Sequence, residues 1–366
     1  MKLVADPSLL ALNAWRGSCL SEMIGRVASL CACLEVIILK WDAHSIEWDK
    51  ILCNMRLKEK WCWRAMPKDE ANLRELFSTV RTETENWSVV GRTRDVLGEG
   101  PIYLPKDDAV YWVDVSSGLL KRHGLRDCSF DHWDMGEPIG FALPQAPGGL
   151  ILGLASGLYL FDPAFPSTQP RLLWHNTESD HRLNDGAFDG YGRLWFGVMH
   201  RNGEQPSGRL MCFDNGEARS VDSGYFVPNG PAFSADGGTL FHTDSPRGEI
   251  YAFTVGKSGD LSDRRIHLKF TPEAGAPDGM TIDEQGYLWV AHWGGGCVSR
   301  FDPDGKLDRR INLPVSLVTN CVFAGAKLDR MFVTTASTGC SGDELAGALF
   351  EIDPDVRGLA PQVISN

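Results

Sequence analysis

A short strand-like segment recurs six times in this chain, and the repeat restricts the folds open to it. The segments are centred on bulky residues at positions 112, 152, 195, 241, 289 and 332, so consecutive copies stand 40 to 48 residues apart. Most copies are followed by a second segment of the same kind. A period of roughly 40–50 residues made of short strands is typical of propeller blades, each a four-stranded sheet. A β-sandwich needs no such period and a β-helix needs a shorter one. We therefore predict an all-β fold, a six-bladed β-propeller over residues 88–366.

Residues 1–87 have a different character and are predicted to form an N-terminal extension of helical or irregular structure. Glycine is scarce there, and apolar residues between Val27 and Ile38 recur mostly three and four positions apart, which would place them on one helix face. The segment carries no chemical motif. A partner-docking segment and translated sequence upstream of the true start are both open interpretations.

The charge distribution argues against a nucleic-acid partner. The chain has a formal net charge of -12. Its first 85 residues hold twelve basic and twelve acidic residues, so the whole acidic excess lies in the propeller region. Binding to phosphates requires a positive field, whereas an acidic field attracts cations. A bound cation is therefore the better expectation.

The cysteines and the N-terminus favour a cytoplasmic protein. Ten cysteines occur without a CxxC pair or zinc-finger spacing, so we expect reduced thiols. The N-terminus lacks a basic start followed by an apolar run and a cleavage site. The most apolar stretch, Leu30–Leu39, contains Glu35 and is too short to span a bilayer. We expect no membrane association, and a monomer or a small homo-oligomer.

Polar residues stand at a similar position in four of the six repeats, about ten residues ahead of a strand, in what we interpret as strand-adjoining loops. Each is followed by Gly or by Asp-Gly, which permits a tight turn and a close backbone approach. The residues are Glu99, then Arg182, Asn184 and Asp185 together, then Asn229, then Asp278. Any one of them alone reads as an ordinary turn residue. Four in register predict a shared site where the blades converge.

The chemistry of this set is that of a hard-cation site. Carboxylate and amide oxygens suit Ca²⁺, Mg²⁺ or Mn²⁺, with Zn²⁺ or Fe²⁺ also possible. No histidine falls in the register, which disfavours a nitrogen-rich site. His200, His242 and His292 lie at predicted strand ends, and we expect them to lie outside the channel.

At these positions the sequence resembles the SMP-30/gluconolactonase family of regucalcin-like lactonases. The resemblance spans residues ~88–355, and within the family it is strongest to the bacterial pentonolactonases. The matching pieces are Gly98–Pro101, Arg182–Gly186, Asn229–Gly230 with Thr243–Ser245, and Pro277–Met280 with Gly286–Trp289.

The resemblance implies a divalent metal held by Glu99, Asn229 and Asp278, with Arg182 and Asn184 contacting the substrate. It also implies supporting roles for Asp185 and Asp244. One departure concerns the stretch after Met199, where animal members carry acidic residues. Here the stretch reads His200-Arg-Asn-Gly-Glu204, which leaves a third substrate contact, and hence the particular sugar, open.

The implied reaction is hydrolysis of a sugar lactone to the aldonic acid, of the gluconolactonase or pentonolactonase type. The metal would polarise the lactone carbonyl and activate water, with Asp278 as the catalytic proton acceptor. A G-x-S-x-G nucleophile motif is absent from the sequence, which disfavours an acyl-enzyme route. The alternatives are a non-catalytic calcium-binding regulatory propeller, a related esterase or phosphotriesterase, and a protein-interaction propeller.

Overall fold

The structure, a computed structural model, describes residues 81–83, 87–145, 148–340 and 343–359. Its strands form six sheets that follow one another along the chain, five with four strands and one with five. The predicted six-bladed propeller is thus confirmed. The helix predicted between Val27 and Ile38 lies outside the described residues, as does the rest of the extension apart from 81–83 and Trp87.

Each of the first five blades contains a meander of four antiparallel strands, and blade 6 contains a meander of three. Blade 1 contains β3 (Gly98–Leu104), β4 (Ala109–Asp114), β5 (Leu119–Gly124) and β6 (Phe130–Asp134). Blade 2 contains β7 (Ile139–Pro144), β8 (Leu150–Leu154), β9 (Gly157–Phe161) and β10 (Arg171–His175). Blade 3 contains β11 (His181–Phe188), β12 (Leu194–His200), β13 (Gly208–Asp214) and β14 (Glu217–Tyr225).

The second half of the propeller repeats this order. Blade 4 contains β15 (Pro228–Phe233), β16 (Thr239–Asp244), β17 (Glu249–Val255) and β18 (Leu261–Lys269). Blade 5 contains β19 (Ala276–Ile282), β20 (Leu288–Trp293), β21 (Cys297–Phe301) and β22 (Leu307–Asn312). Blade 6 contains β23 (Val318–Ala324), β24 (Arg330–Thr335) and β25 (Leu349–Ile352). Short 3-10 turns lie at Ser245–Arg247 and Pro272–Ala274.

Strands from the beginning of the described chain complete the last two blades. Strand β2 (Trp87–Val90) pairs antiparallel with β25 and is the outer strand of blade 6. Strand β1 (Arg81–Glu83) adds to blade 5 by parallel pairing with β22. Blade 6 is therefore assembled from both ends of the propeller sequence, and the pairing of β2 with β25 holds the ring closed.

The repeated segment of the sequence is the second strand of each blade, and its burial explains its composition. Strands β4 and β8 are buried along their whole length, because each sheet is covered by a blade on either side. A strand covered on both faces reads as a continuous apolar run. The outer strands β6 and β10 are largely exposed, and neither is a continuous apolar run.

Three blades share a buried contact between an aspartate and a tryptophan of the second strand. The indole N–H groups of Trp112, Trp195 and Trp289, which are fully buried, donate to Asp95, Asp189 and Asp283 over 2.8, 2.9 and 2.9 Å. In two of these blades an arginine completes the pair, since Arg193 Nε lies 2.6 Å from Asp189 and Arg300 Nε 2.8 Å from Asp283. In blade 1 Lys121 pairs with Asp95. A buried indole N–H needs an acceptor, and the carboxylate needs a cation.

The five cysteines of the described residues are free thiols: Cys128, Cys212, Cys297, Cys321 and Cys340. The other five lie outside the described part of the chain. Within that part, no helix has the length and apolar character needed to cross a membrane.

Candidate active site in the central channel

Five of the six inner strands carry a polar side chain near their N-terminal ends, where these strands line the channel. The residues are Glu99 on β3, Asp185 on β11, Asn229 on β15, Asp278 on β19 and Asn320 on β23. The placement in loops ahead of the strands was wrong, because all of these residues belong to the inner strands themselves. Their convergence from separate blades is as expected from their register.

A β-bulge at each of these positions turns the side chain out of the normal alternation. Pairing with the second strand shifts between Glu99 and Ile102, between Asn229 and Ala232, and between Pro277 and Met280. Unpaired residues at a bulge escape the ladder, and bulges commonly aim side chains at functional sites. The pattern of a polar residue followed by glycine in the sequence therefore corresponds to this bulge.

Blade 2 contributes no polar side chain to the ring. Its equivalent position is Gly140, and a Cβ there would lie 2.3 Å from the backbone oxygen of Asn184. The neighbouring inner strands approach too closely at this point for any side chain. The missing polar residue in the second repeat therefore has a steric cause.

Asn229 is held at both ends of its side-chain amide. Its Nδ2 donates to Ser245 Oγ over 2.8 Å, and its Oδ1 accepts from Asn184 Nδ2 over 2.7 Å. Asn184 Oδ1 in turn accepts from Arg182 over 2.7 Å. The direction of each amide follows from its partners. Asn229 thus presents an oxygen, the atom a hard cation prefers.

Glu99 and Asp185 are anchored by backbone amides. Gly100 N donates to Glu99 Oε2 over 2.9 Å. Asp185 accepts from Gly186 N at 2.8 Å and from Gly230 N, in blade 4, at 3.0 Å. Asp185 is therefore more fully occupied by protein donors than Glu99, which fits a supporting position.

Asp278 is the least satisfied of the three carboxylates. Its Oδ1 is buried and has no hydrogen-bond partner among the described residues, and the whole residue is only 4% exposed. Burial, followed by the negative charges of Glu99 and Asp185, raises the pKa of Asp278 well above its usual range. Burial is also the main cause of the raised pKa values of Glu99 and Asp185. Three carboxylates are packed together without enough positive charge to neutralise them.

These residues fit a divalent cation. An unpaired buried carboxylate oxygen is costly unless a ligand satisfies it. The Asp278 oxygen, the Glu99 carboxylate and the Asn229 amide oxygen make an oxygen-only donor set of the kind that binds hard cations. The three predicted metal ligands are therefore brought to one place with suitable chemistry.

The predicted substrate-binding residues lie beside this set. Arg182 and Asn184 are partly buried on β11, and the guanidinium also donates to the Leu183 carbonyl over 3.1 Å. Burial lowers the pKa of Arg182 to about 10, so the side chain stays charged at neutral pH. It places a cationic hydrogen-bond donor next to the acidic ring.

Asp244 supports the site from behind. It is fully buried, accepts hydrogen bonds from the amides of Phe226 and Val227, and pairs with Arg247 at 2.8 Å. These amides belong to the segment that leads into β15 and Asn229. Asp114 does the same in blade 1, since it accepts from Val96 N and Leu97 N ahead of Glu99, each over 3.1 Å. Asp114 escaped notice in the sequence, where it reads only as the end of a strand.

The three histidines have structural contacts. His242 is completely buried, packs edge-on against Tyr225, and has its pKa lowered to about 3 by burial. His292 Nδ1 bonds the Ala274 carbonyl over 2.8 Å. His200 packs edge-on against His181. The ring contains no histidine among the described residues.

A second group of possible ligands, absent from the sequence prediction, lies on blade 3. Glu178, Asp180 and His181 have ligand atoms within 4.8 Å of one another. His181 Nδ1 bonds Asp180 at 2.8 Å and its Nε2 bonds Ser207 at 2.9 Å, while Glu178 pairs with Arg209 at 2.5 Å. These contacts satisfy the group without a metal, unlike the Asp278 oxygen.

Beyond the polar ring the channel becomes apolar. A cavity of about 250 Å³ begins at Asp185 and Asn320 and is lined further along by Phe141, Phe188 and Phe233. The charged and amide side chains of the ring thus lie at one end of this cavity.

Fold and site together define a six-bladed propeller with an oxygen-rich site at one end of its axis. Residues 97–337 match the family described as SMP-30/Gluconolactonase/LRE-like region, and the chain belongs to this family. It is 33% identical over 284 residues to 6-deoxy-6-sulfogluconolactonase of Pseudomonas putida, covering 75% of this chain and 97% of that protein. It is 32% identical over 277 residues to a pentonolactonase of Haloferax volcanii, covering 72% and 92%. The crystal structure of regucalcin, a calcium-binding protein from Agrobacterium tumefaciens, has the same fold, with a TM-score of 0.74 at 24% identity over 78% of this chain and all of that one.

Proposed function

We propose that this protein hydrolyses a sugar lactone to the corresponding aldonic acid and depends on a divalent cation held by Glu99, Asn229 and Asp278. The observation that carries the proposal is the buried Asp278 oxygen without a hydrogen-bond partner, inside an oxygen-only set, in a chain related to proteins named as lactonases. A third such relative, an L-arabinolactonase of Azospirillum brasilense, is 32% identical over 278 residues. Those names support an aldonolactone as the substrate class.

The cation, when bound, supplies Lewis acidity toward a carbonyl oxygen and lowers the pKa of water. The protein supplies the geometry. Asn229 is held by Ser245 and Asn184, and its Oδ1 would be the atom that binds the cation. Glu99 and Asp278 come from blades on different sides of the channel and give the negative charge that the cation needs.

Asp278 is the group we assign to proton transfer. One of its carboxylate oxygens would hold the cation, and the other can accept a proton from the attacking water and return it to the ring oxygen that leaves the acyl carbon. Asp185, whose oxygens are occupied by backbone amides, is less available for this role.

Arg182 and Asn184 would orient the sugar. Arg182 remains protonated at neutral pH, and it can donate to hydroxyl or ring oxygens. Asn184 is fixed by Arg182 on one side and by Asn229 and the Pro228 carbonyl on the other. A substrate held here would lie against the metal-binding residues, which is the arrangement that hydrolysis requires.

The test is an assay of the full-length protein over a panel of aldonolactones, with acid release followed by pH-stat. Protein stripped with EDTA would be reloaded separately with Ca²⁺, Mg²⁺, Mn²⁺, Zn²⁺ and Fe²⁺. We expect hydrolysis with at least one cation and none with EDTA. Asp278→Ala is expected to abolish hydrolysis while the circular dichroism spectrum stays that of the wild type.

Three outcomes would contradict the proposal. Tight Ca²⁺ binding without turnover of any lactone would indicate a regulatory binding protein. Faster hydrolysis of aryl esters or phosphotriesters than of sugar lactones would indicate a different hydrolase. Full activity of Asp278→Ala would remove Asp278 from the reaction.

A further inference from the structure

Asn320 reaches across the end of the channel from blade 6. Its Nδ2 lies 3.0 Å from Glu99 Oε2 in blade 1 and 3.4 Å from Asp185 Oδ2 in blade 3. The residue is 6% exposed. Its amide rests on Gly279 of blade 5, where an added Cβ would lie 2.0 Å from Asn320 Cγ. One side chain thus contacts three other blades at the polar ring.

The two asparagines of the ring present opposite ends of their amides. Cys321 N donates to Asn320 Oδ1 over 2.8 Å, which fixes the oxygen on the backbone and turns the NH₂ group toward the two carboxylates. Asn229 is held differently, because its Nδ2 donates to Ser245 and its Oδ1 accepts from Asn184 instead of a backbone amide. An N–H group cannot ligate a cation, so Asn320 cannot serve as a ligand in this orientation.

We infer that Asn320 is a positioning residue that clamps Glu99 and Asp185 in the geometry needed for cation binding. The inference rests on the proposed function, since it takes Glu99 as a cation ligand. Without the NH₂ donor, Glu99 Oε2 would keep only the Gly100 amide. Two buried carboxylates would then face each other without a donor between them, and their side chains would move apart. Residues that orient metal ligands typically affect metal affinity by about 10- to 100-fold.

Asn320 lies where the inner strand of blade 6 meets the inner strand of blade 1. Strand β23 is fastened to β3 next to the site, because Thr319 Oγ1 donates to the Gly98 carbonyl over 2.6 Å. Blade 6 is the blade that β2 completes, and blade 1 follows it in the ring. The Asn320 contact therefore sets the position of Glu99 where the two ends of the propeller meet. Asn320 has the same register as the other four polar residues of the ring. It is followed by Cys321, whereas each of the other four is followed by glycine.

The test compares cation affinity with turnover in the full-length protein. Asn320→Leu keeps the shape of the side chain and removes both the donor and the acceptor. Thr335→Val is the matched control, since Thr335 is fully buried in the same blade and donates only to the Ala348 carbonyl over 2.6 Å, away from the ring. Calorimetric titration of EDTA-stripped protein with Ca²⁺ and with Mn²⁺ gives the Kd of each variant.

We expect the Kd of Asn320→Leu to rise about tenfold or more and that of Thr335→Val to stay within about twofold of wild type. At saturating cation, Asn320→Leu should recover a kcat within about threefold of wild type with an unchanged KM, because the substrate contacts remain. A merely structural role would lower melting temperature in both variants and leave the Kd unchanged. A Kd of Asn320→Leu within twofold of wild type overturns the inference.

If Asn320→Leu does not fold, Asn320→Ala carries the test. Water can enter the space it leaves and replace part of the donor function, so we expect a Kd about threefold weaker or more. An unchanged Kd in that variant overturns the inference as well. Wild-type protein that binds Ca²⁺ or Mn²⁺ but hydrolyses no lactone contradicts the proposed function and leaves the clamp to be judged by the Kd values. Wild-type protein that binds none of the five cations Ca²⁺, Mg²⁺, Mn²⁺, Zn²⁺ and Fe²⁺ overturns both.

Discussion

Replacing Asp278 by Asn should stabilise the metal-free protein while destroying its cation site. The buried Asp278 oxygen has no hydrogen-bond partner among the described residues, and the carboxylate lies in the field of Glu99 and Asp185. Asparagine has the same shape, carries no charge, and can donate to the neighbouring carboxylates. Relieving an unsatisfied buried polar group is worth about 2 kcal/mol. For a domain of roughly 280 residues this corresponds to a melting temperature about 3–4 °C higher.

The same change at Asp283, in the same blade, is the control and should have the opposite sign. Asp283 is fully buried, but it accepts from Arg300 Nε at 2.8 Å and from Trp289 Nε1 at 2.9 Å. Asp283→Asn removes the buried one of the two carboxylates that pair with Arg300 and leaves only Asp308, at 2.8 Å. Losing a hydrogen bond between charged groups costs about 1.5–3 kcal/mol. The melting temperature should therefore fall.

Differential scanning calorimetry in EDTA at pH 7.5 measures both effects. Adding the cation should raise the melting temperature of the wild type and leave Asp278→Asn unchanged, because ligand binding stabilises only a protein that binds it. If Asp278→Asn were no more stable than wild type in EDTA, the carboxylate would not be an unpaired buried charge and the reasoning would be refuted.

Three further predictions follow from the contacts of the site. Burial raises the pKa of Glu99 above its ordinary 4.5 and the pKa values of Asp185 and Asp278 above their ordinary 3.8. The folded metal-free protein therefore binds more protons than the unfolded chain, and it should lose stability as the pH rises through the raised pKa values. The gain in melting temperature on adding cation should thus grow between about pH 4 and pH 8, and a constant gain would contradict this. Arg182→Met should raise KM about tenfold and change the cation Kd by less than about threefold. Loss of cation binding in this variant would instead show that Arg182 is needed to hold the metal ligands in place. Ser245→Ala removes the acceptor that orients Asn229 and should weaken cation binding about tenfold in calorimetric titration, whereas an unchanged Kd would show that the amide needs no such support.

The sequence was sufficient to predict the blades because the second strand of each blade is covered on both faces. That burial demands the apolar run that recurs at 112, 152, 195, 241, 289 and 332, and all six positions lie on second strands. The closing strand β2 was not predicted as part of blade 6, since a strand of four residues, Trp87–Val90, carries no period of its own.

The site was predictable as a set of residues but not as a geometry. A polar residue before glycine marks a bulge, and this signal found Glu99, Asn229 and Asp278. It missed Asn320, which is followed by Cys321, and it could not tell an asparagine that presents oxygen from one that presents N–H. That distinction depends on Ser245 and on the Cys321 amide, contacts that only the folded chain brings together.

The most direct test of a cation-dependent lactonase is to measure cation binding and lactone hydrolysis on the same stripped sample. Calorimetry would give the Kd, and initial rates at rising cation concentration would give the half-activating concentration. We predict that the two values agree within about twofold for the wild type and that Asp278→Asn loses both signals. Hydrolysis at the full wild-type rate in EDTA, or in Asp278→Asn, would contradict the account.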